Sequence, residues 1–136
     1  ILSINIKKEP KMGRFKYLLT TIAVILLPLV AVSEQIQTNL IQIPIMAEKK
    51  AELEAMLFSP VGFAHTIKQK GFVGGDTGYA TDEDGNVTFV IWGKWQTKED
   101  YYNYLATSER SEGSKFSETM RAVMTGPPSL LWVKTY

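Results

Sequence analysis

The 136-residue chain has no cysteine and a single histidine, His65. Without thiols there is no disulfide framework, no thiolate metal site and no cysteine nucleophile. One imidazole without carboxylates at ligand spacing makes no metal site either, and Asp82, Glu83 and Asp84 read as a solvated turn around Gly85. Positive charge is scarce where a partner would need it. Five cations, Lys7, Lys8, Lys11, Arg14 and Lys16, precede residue 34, so residues 34–136 hold 10 basic and 13 acidic residues, a net charge of −3. That balance excludes a nucleic-acid partner, which requires a basic face to displace counterions from phosphates. Gly74, Gly75 and Gly78 do not lead from a strand into a helix, so they read as a bulge or a close strand approach rather than a phosphate-binding loop.

No apolar run is long enough to cross a membrane comfortably. The longest, Leu18 to Val32, is about fifteen residues, broken by Thr20, Thr21 and Pro28, whereas a spanning helix needs about twenty. With Met12-Gly-Arg-Phe-Lys-Tyr before it and Ala31-Val32-Ser33 after it, the segment reads as a secretory signal peptide, and the eleven residues before Met12 as an upstream extension. The expectation is one exported domain over residues 34–136, periplasmic or secreted, with membrane contact only through this peptide. The alternative is an uncleaved anchor over residues 17–32.

The rest of the chain alternates between strand and helix patterns. Ile36 to Met46 is β-branched and partly alternating, with Pro44 at its end or on an edge. Ala47 to Phe58 places Leu53, Met56 and Leu57 on one stripe of a charged helix stopped by Ser59-Pro60. Val61 to Lys70 is a second helical piece, and Phe72 to Thr81 is extended. Asp82 to Asn86 closes a hairpin onto Asn86 to Trp95, a strand apolar on both faces. Thr97 and Asp100 then have capping-box spacing. A helix from there, a polar break over Ser108 to Ser114, a helix carrying Phe116, Met120, Val123 and Met124, and a closing strand from Leu130 to Tyr136 complete the order βαββαβ. That order predicts an α+β, ferredoxin-like fold, two helical layers' worth of apolar stripe on one face of a four-stranded antiparallel sheet. Phe89, Ile91 and Trp95 share one face of their strand, while Val90 and Trp92 share the other, and Trp132 is assigned with Trp92. An apolar second face predicts a homodimer through the open sheet.

Gly71-Phe72, Asp84-Gly85, Val87 to Trp95, Gln96-Thr97-Lys98-Glu99-Asp100-Tyr101 with Tyr104-Leu105, and Gly126-Pro127-Pro128 resemble the antibiotic biosynthesis monooxygenase family over about Leu40 to Tyr136. The resemblance implies a dimeric α/β barrel of ferredoxin-like subunits. It also implies a cofactor-independent, metal-free monooxygenase in which a small aromatic or quinol-type substrate passes its own electrons to dioxygen. The polyketide-anthrone type has an asparagine four residues before a strand-end tryptophan and a tyrosine six after it. Trp95 and Tyr101 match the last two, but Ile91 stands where the amide would be. The haem-degrading branch has a ligand histidine on its second helix, where this chain offers Lys115 and Phe116.

The candidate catalytic residues are therefore Trp95, Tyr101 and His65. Trp95 supplies an indole N–H and a stacking face, or else only closes a corner of the core. His65 is the one side chain whose ordinary pKa suits proton shuttling near neutrality, or else an exposed loop residue. Candidates for substrate contact are Tyr79, Ile91, Asn39 and Asn103, either amide standing in for the missing one. Against the oxygenase stands a non-catalytic exported domain of the same fold that binds a small ligand or acts in stress response, and a purely structural dimerisation module.

Overall fold

A computed structural model describes residues 35–136; the signal-peptide and anchor readings fall outside the described residues. The sheet consists of β1 (Gln37–Ile45), β2 (Phe72–Thr81), β3 (Val87–Trp95) and β4 (Ser129–Val133). All neighbours are antiparallel, in the order β2-β3-β1-β4, which is the ferredoxin-like arrangement expected. A 3-10 turn at Ala47–Lys49 leads into α1 (Lys50–Leu57), followed by the short α2 (Phe63–Thr66), then α3 (Lys98–Leu105) and α4 (Lys115–Val123).

Local chemistry explains the boundaries. Pro44 sits past the last β4 pairing at Gln42, where β1 has a free edge on that side, so its missing N–H breaks no ladder bond. Its carbonyl accepts from Thr125 N at 3.0 Å and ties β1 to the end of α4. In the hairpin, Gly85 takes a φ of +82°, and Asp82 Oδ1 accepts from the backbone N–H groups of Asp84 and Asn86. Thr97 caps α3 by accepting from Asp100 N at 3.0 Å, and its hydroxyl donates to Asp100 Oδ2. Gly71, at φ +80°, presses its Cα against that same carboxylate, a place no side chain can occupy.

The core forms where α1 and α4 cover one end of the sheet. Leu53 and Val123 are fully buried there among Ile43, Ile45, Met56, Leu57, Val87, Phe89 and Met120. These are the odd-numbered residues of β1 and β3 plus the apolar stripes of the two helices, as alternation and the 3.6-residue period require. One assignment is corrected. Trp132 pairs in register with Asn39, which places it on the helix-covered side with Trp95; its ring meets Tyr101 edge-on at 5.5 Å. Leu131 and Val133, in register with Leu40 and Thr38, take the open side instead. A closing strand that starts one residue earlier than its apolar run does not change parity, but register against β1 does fix the face, and a single strand's alternation does not supply it.

Candidate functional site

At the other end of the sheet the helices stand away from it. Between them lies a cavity of about 660 Å³, well within the range that encloses an aromatic small molecule. Its floor is a row across three strands. Asn39 on β1 pairs with Gly93 on β3, which pairs with Gly75 on β2. The two glycines leave that row bare on β2 and β3, with Asn39 as its side chain on β1. A Cβ on Gly93 would come to 2.5 Å from Asn39 Oδ1 and 3.3 Å from Trp95 Nε1, so the absence of one is what lets the amide and the indole nitrogen share this corner.

Asn39 is the group that the packing leaves unfinished. It is 1% exposed, and among the described residues neither Oδ1 nor Nδ2 has a hydrogen-bond partner. A buried amide without partners costs about 1–3 kcal/mol, so its retention on a central strand calls for a reason beyond folding. Trp95, 2% exposed, is held by rings on three sides: Phe72 at 5.2 Å and Tyr101 at 5.5 Å, both edge-on, and Tyr104 at 5.2 Å in a tilted stack. Burial, with smaller contributions from the neighbouring phenols Tyr104 and Tyr102, pushes the Tyr101 hydroxyl up to about 12. It therefore stays protonated and serves as a donor, never as a base, at physiological pH.

The wall opposite the sheet comes from α2, α3 and the polar break between α3 and α4. That break is a closed loop: Ser114 caps α4 by accepting from Ser117 N, and Ser117 Oγ donates to the carbonyls of Arg110 and Ser111. The loop turns Arg110 inward. Its guanidinium donates to Tyr104 Oη (2.6 Å), to the carbonyls of Val61 (2.6 Å), Gly62 and Glu109, and to Thr66 Oγ1. One face of it lies 3.7 Å from the Phe116 ring centre.

Of the predicted site residues, Trp95, Tyr101, Asn39 and Ile91 line this cavity. Three others do not. His65 turns outward from α2, its Nε2 3.0 Å from Thr107 Oγ1 and 3.8 Å from the Glu109 carboxylate. Burial first, and then the Arg110 charge, lower its pKa; it is a neutral contact between α2 and the end of α3. Tyr79 lies at the core end, its hydroxyl donating to Glu54 at 3.1 Å, because its partner Phe89 is four residues along β3 from the glycine row. Asn103 is on the exposed face of α3. Sequence reasoning missed Arg110, which sits in a run of serines and glutamates that reads as solvated loop. The available signal was only that residues 34–136 contain just two arginines, Arg110 and Arg121.

No family model matches the chain, and no curated protein matches it by sequence. Solved structures do. An antibiotic biosynthesis monooxygenase superposes with a TM-score of 0.57 at 14% identity, covering 74% of this chain and 98% of that one. The chain has the fold of the antibiotic biosynthesis monooxygenases. A variant of SnoaB, a cofactor-independent oxygenase from Streptomyces nogalater, shares that fold at a TM-score of 0.56 and 20% identity over 74% of this chain and 95% of its own. A monooxygenase from the gene ActVA-Orf6 of Streptomyces coelicolor, in complex with nanaomycin D, does so at 0.54 and 16% over 74% and 87%.

Proposed function

We propose that this protein is a cofactor-independent monooxygenase acting on a small aromatic or quinol-type substrate bound between its sheet and helices. The observation that carries the reading is the unpartnered Asn39 amide beside the Trp95 indole nitrogen, on the wall of a large and mostly apolar cavity. A substrate ring packs beside Trp95, Tyr104 and Phe72, and its oxygen accepts from Trp95 Nε1–H and, when the Asn39 side chain turns its Nδ2–H towards the cavity, from that amide. These donors favour the anionic form through which an electron-rich ring passes electrons to dioxygen. In an anthrone-type substrate a ring CH₂ takes up O₂ and becomes C=O with loss of one water. Ile91 occupies the place of the amide in the resembling site, and Asn39 supplies that amide from the neighbouring strand. The names of SnoaB and of the ActVA-Orf6 monooxygenase support the class of reaction.

Oxygen-electrode assays with a panel of anthrones and quinols test this. Uptake is expected in the wild type and a strong fall in Trp95→Phe and Tyr101→Phe; no uptake with any substrate would count heavily against the oxygenase. The second reading, a small-ligand-binding domain without turnover, is favoured by the position of His65 outside the cavity, which leaves no imidazole there to act as base. Binding without uptake would select it. Two further parts of the reading are export from the cell, tested by the N-terminus of the mature protein, and pairing of two copies through the open sheet face around Leu40, Trp92 and Leu131. A Trp92→Glu/Leu131→Glu variant that sediments like the wild type would remove the dimer.

A further inference from the structure

Arg110 is 8% exposed, and among the described residues no carboxylate comes within 4.0 Å of it. Its neighbour Glu109 is turned away, accepting from Ser108 Oγ at 2.9 Å and facing His65. All five guanidinium N–H groups go to neutral acceptors. Such hydrogen bonds satisfy the donors and the Phe116 ring faces the guanidinium, but the charge is left without a carboxylate in contact, an arrangement that is costly in a low-dielectric interior. If Arg110 only had to tie α2 to the loop after α3, a neutral donor would do so without that cost.

The charge is presented to the cavity through one group. Tyr104 Oη accepts from Arg110 Nε at 2.6 Å and lies 3.0 Å from Thr66 Oγ1, a contact in which either hydroxyl can donate; when Thr66 gives its proton to Tyr104 rather than to the Gly62 carbonyl at 3.3 Å, the phenol's own proton is free for a ligand. Arg110, Tyr104 and Thr66 all line the cavity, and the Tyr104 ring stacks on Trp95. The rest of that wall, with Phe63, Phe72 and Phe116, is apolar and offers an anion no competing site.

We propose that the cavity selects aromatic ligands that carry a carboxylate, with the carboxylate accepting from Tyr104 Oη–H and Arg110 as its counter-charge. The inference rests on the substrate cavity proposed above and adds a second anchor to it. The ring oxygen goes to the Asn39–Trp95 corner and the acid to the Tyr104–Arg110 side. Arg110 is thus a positioning residue, acting through Tyr104.

Calorimetric titration of the full chain at pH 7 with 2-naphthoate and its neutral isostere 2-naphthamide tests this. The carboxylate is expected to bind about tenfold tighter or more, the lower end of what a charge-assisted hydrogen bond contributes. Arg110→Lys should keep part of the preference and Arg110→Gln should lose it. Because Arg110→Gln also cuts the tie between α2 and the loop, Tyr104→Phe decides. That variant leaves the carbonyl contacts and the aromatic ring in place and should bring the two affinities to within about twofold of each other. Equal affinities in the wild type, a preference that survives Tyr104→Phe, or no binding of either probe would overturn the proposal. Oxygen uptake is measured separately. A carboxylate preference without uptake leaves this inference standing and sinks the oxygenase, whereas equal uptake with acidic and neutral quinols does the reverse.

Discussion

Replacing Asn39 with leucine should make the protein more stable and less able to bind. The two side chains have the same branching and the same number of heavy atoms, and the bulkier leucine methyls can extend into the adjoining cavity, so the exchange keeps the Gly93 corner filled while removing two buried polar atoms that have no partner among the described residues. An unsatisfied amide costs about 1–3 kcal/mol, and an apolar group of the same shape carries no such penalty. For a domain of this size about 1 kcal/mol moves the melting temperature by roughly 4–8 °C. A rise of at least about 4 °C is therefore expected by differential scanning calorimetry. In the same variant, affinity for a ring-oxygen ligand should fall about 10- to 100-fold, since one hydrogen bond in a largely buried pocket is lost. The opposite signs are the point of the test. An amide that served packing would destabilise on removal, and one that served neither packing nor ligand would leave affinity untouched. If Asn39→Leu melts lower than the wild type, the amide has a structural partner and the site argument built on it falls.

Other outcomes follow from the same geometry. Gly93→Ala should cost about 1–3 kcal/mol in urea unfolding, since the added Cβ meets Asn39 Oδ1 at 2.5 Å; adding Asn39→Ala should recover most of this, and strict additivity would show that the two do not collide. His65→Gln should leave oxygen uptake unchanged. Because the folded-state pKa of His65 lies below its ordinary 6.5, the wild type loses stability as pH falls through and below about 6.5, and the variant should lose less; equal acid sensitivity would place the cause elsewhere. The Tyr101 phenol, raised from 10.0 to about 12 by burial, contributes stability that is present below about pH 10 and lost as pH rises towards 12. Tyr79 is raised to about 12 as well, so ultraviolet titration should lose one late-titrating phenol in Tyr101→Phe and keep that of Tyr79.

Much of the fold could be read from local pattern because each element carries its own period. The odd-numbered residues of β3, the stripe of α1 and the Asp84-Gly85 turn report independently and agree. What escaped was relational. The face of Trp132 depends on its register against Asn39, and the four residues of α2 are too few to show a period, so the segment from Val61 to Lys70 looked more helical than it is. Arg110 had no pattern to announce it. A cation among serines and glutamates reads as solvated, and only the inward turn of the loop, held by Ser117, takes it out of water.

The site differs from the resembling pattern in one instructive way. Along β3, reading four residues back from Trp95 arrives at Ile91 and finds no amide, which argues against an oxygen-binding corner. Across the sheet the same corner is reached from β1, because Asn39 pairs with Gly93 and Gly93 carries no side chain. A polar group above a sheet is defined by its position on the surface, and any strand with the right parity can deliver it. The glycine and the amide then form one unit: Gly93 without Asn39 would leave a void, and Asn39 without Gly93 would have no room. A motif spaced along one strand misses that unit. Putting the amide back in its resembling place tests whether position or strand matters: Ile91→Asn combined with Asn39→Leu should restore ligand affinity to within about tenfold of the wild type if the corner alone is what binds.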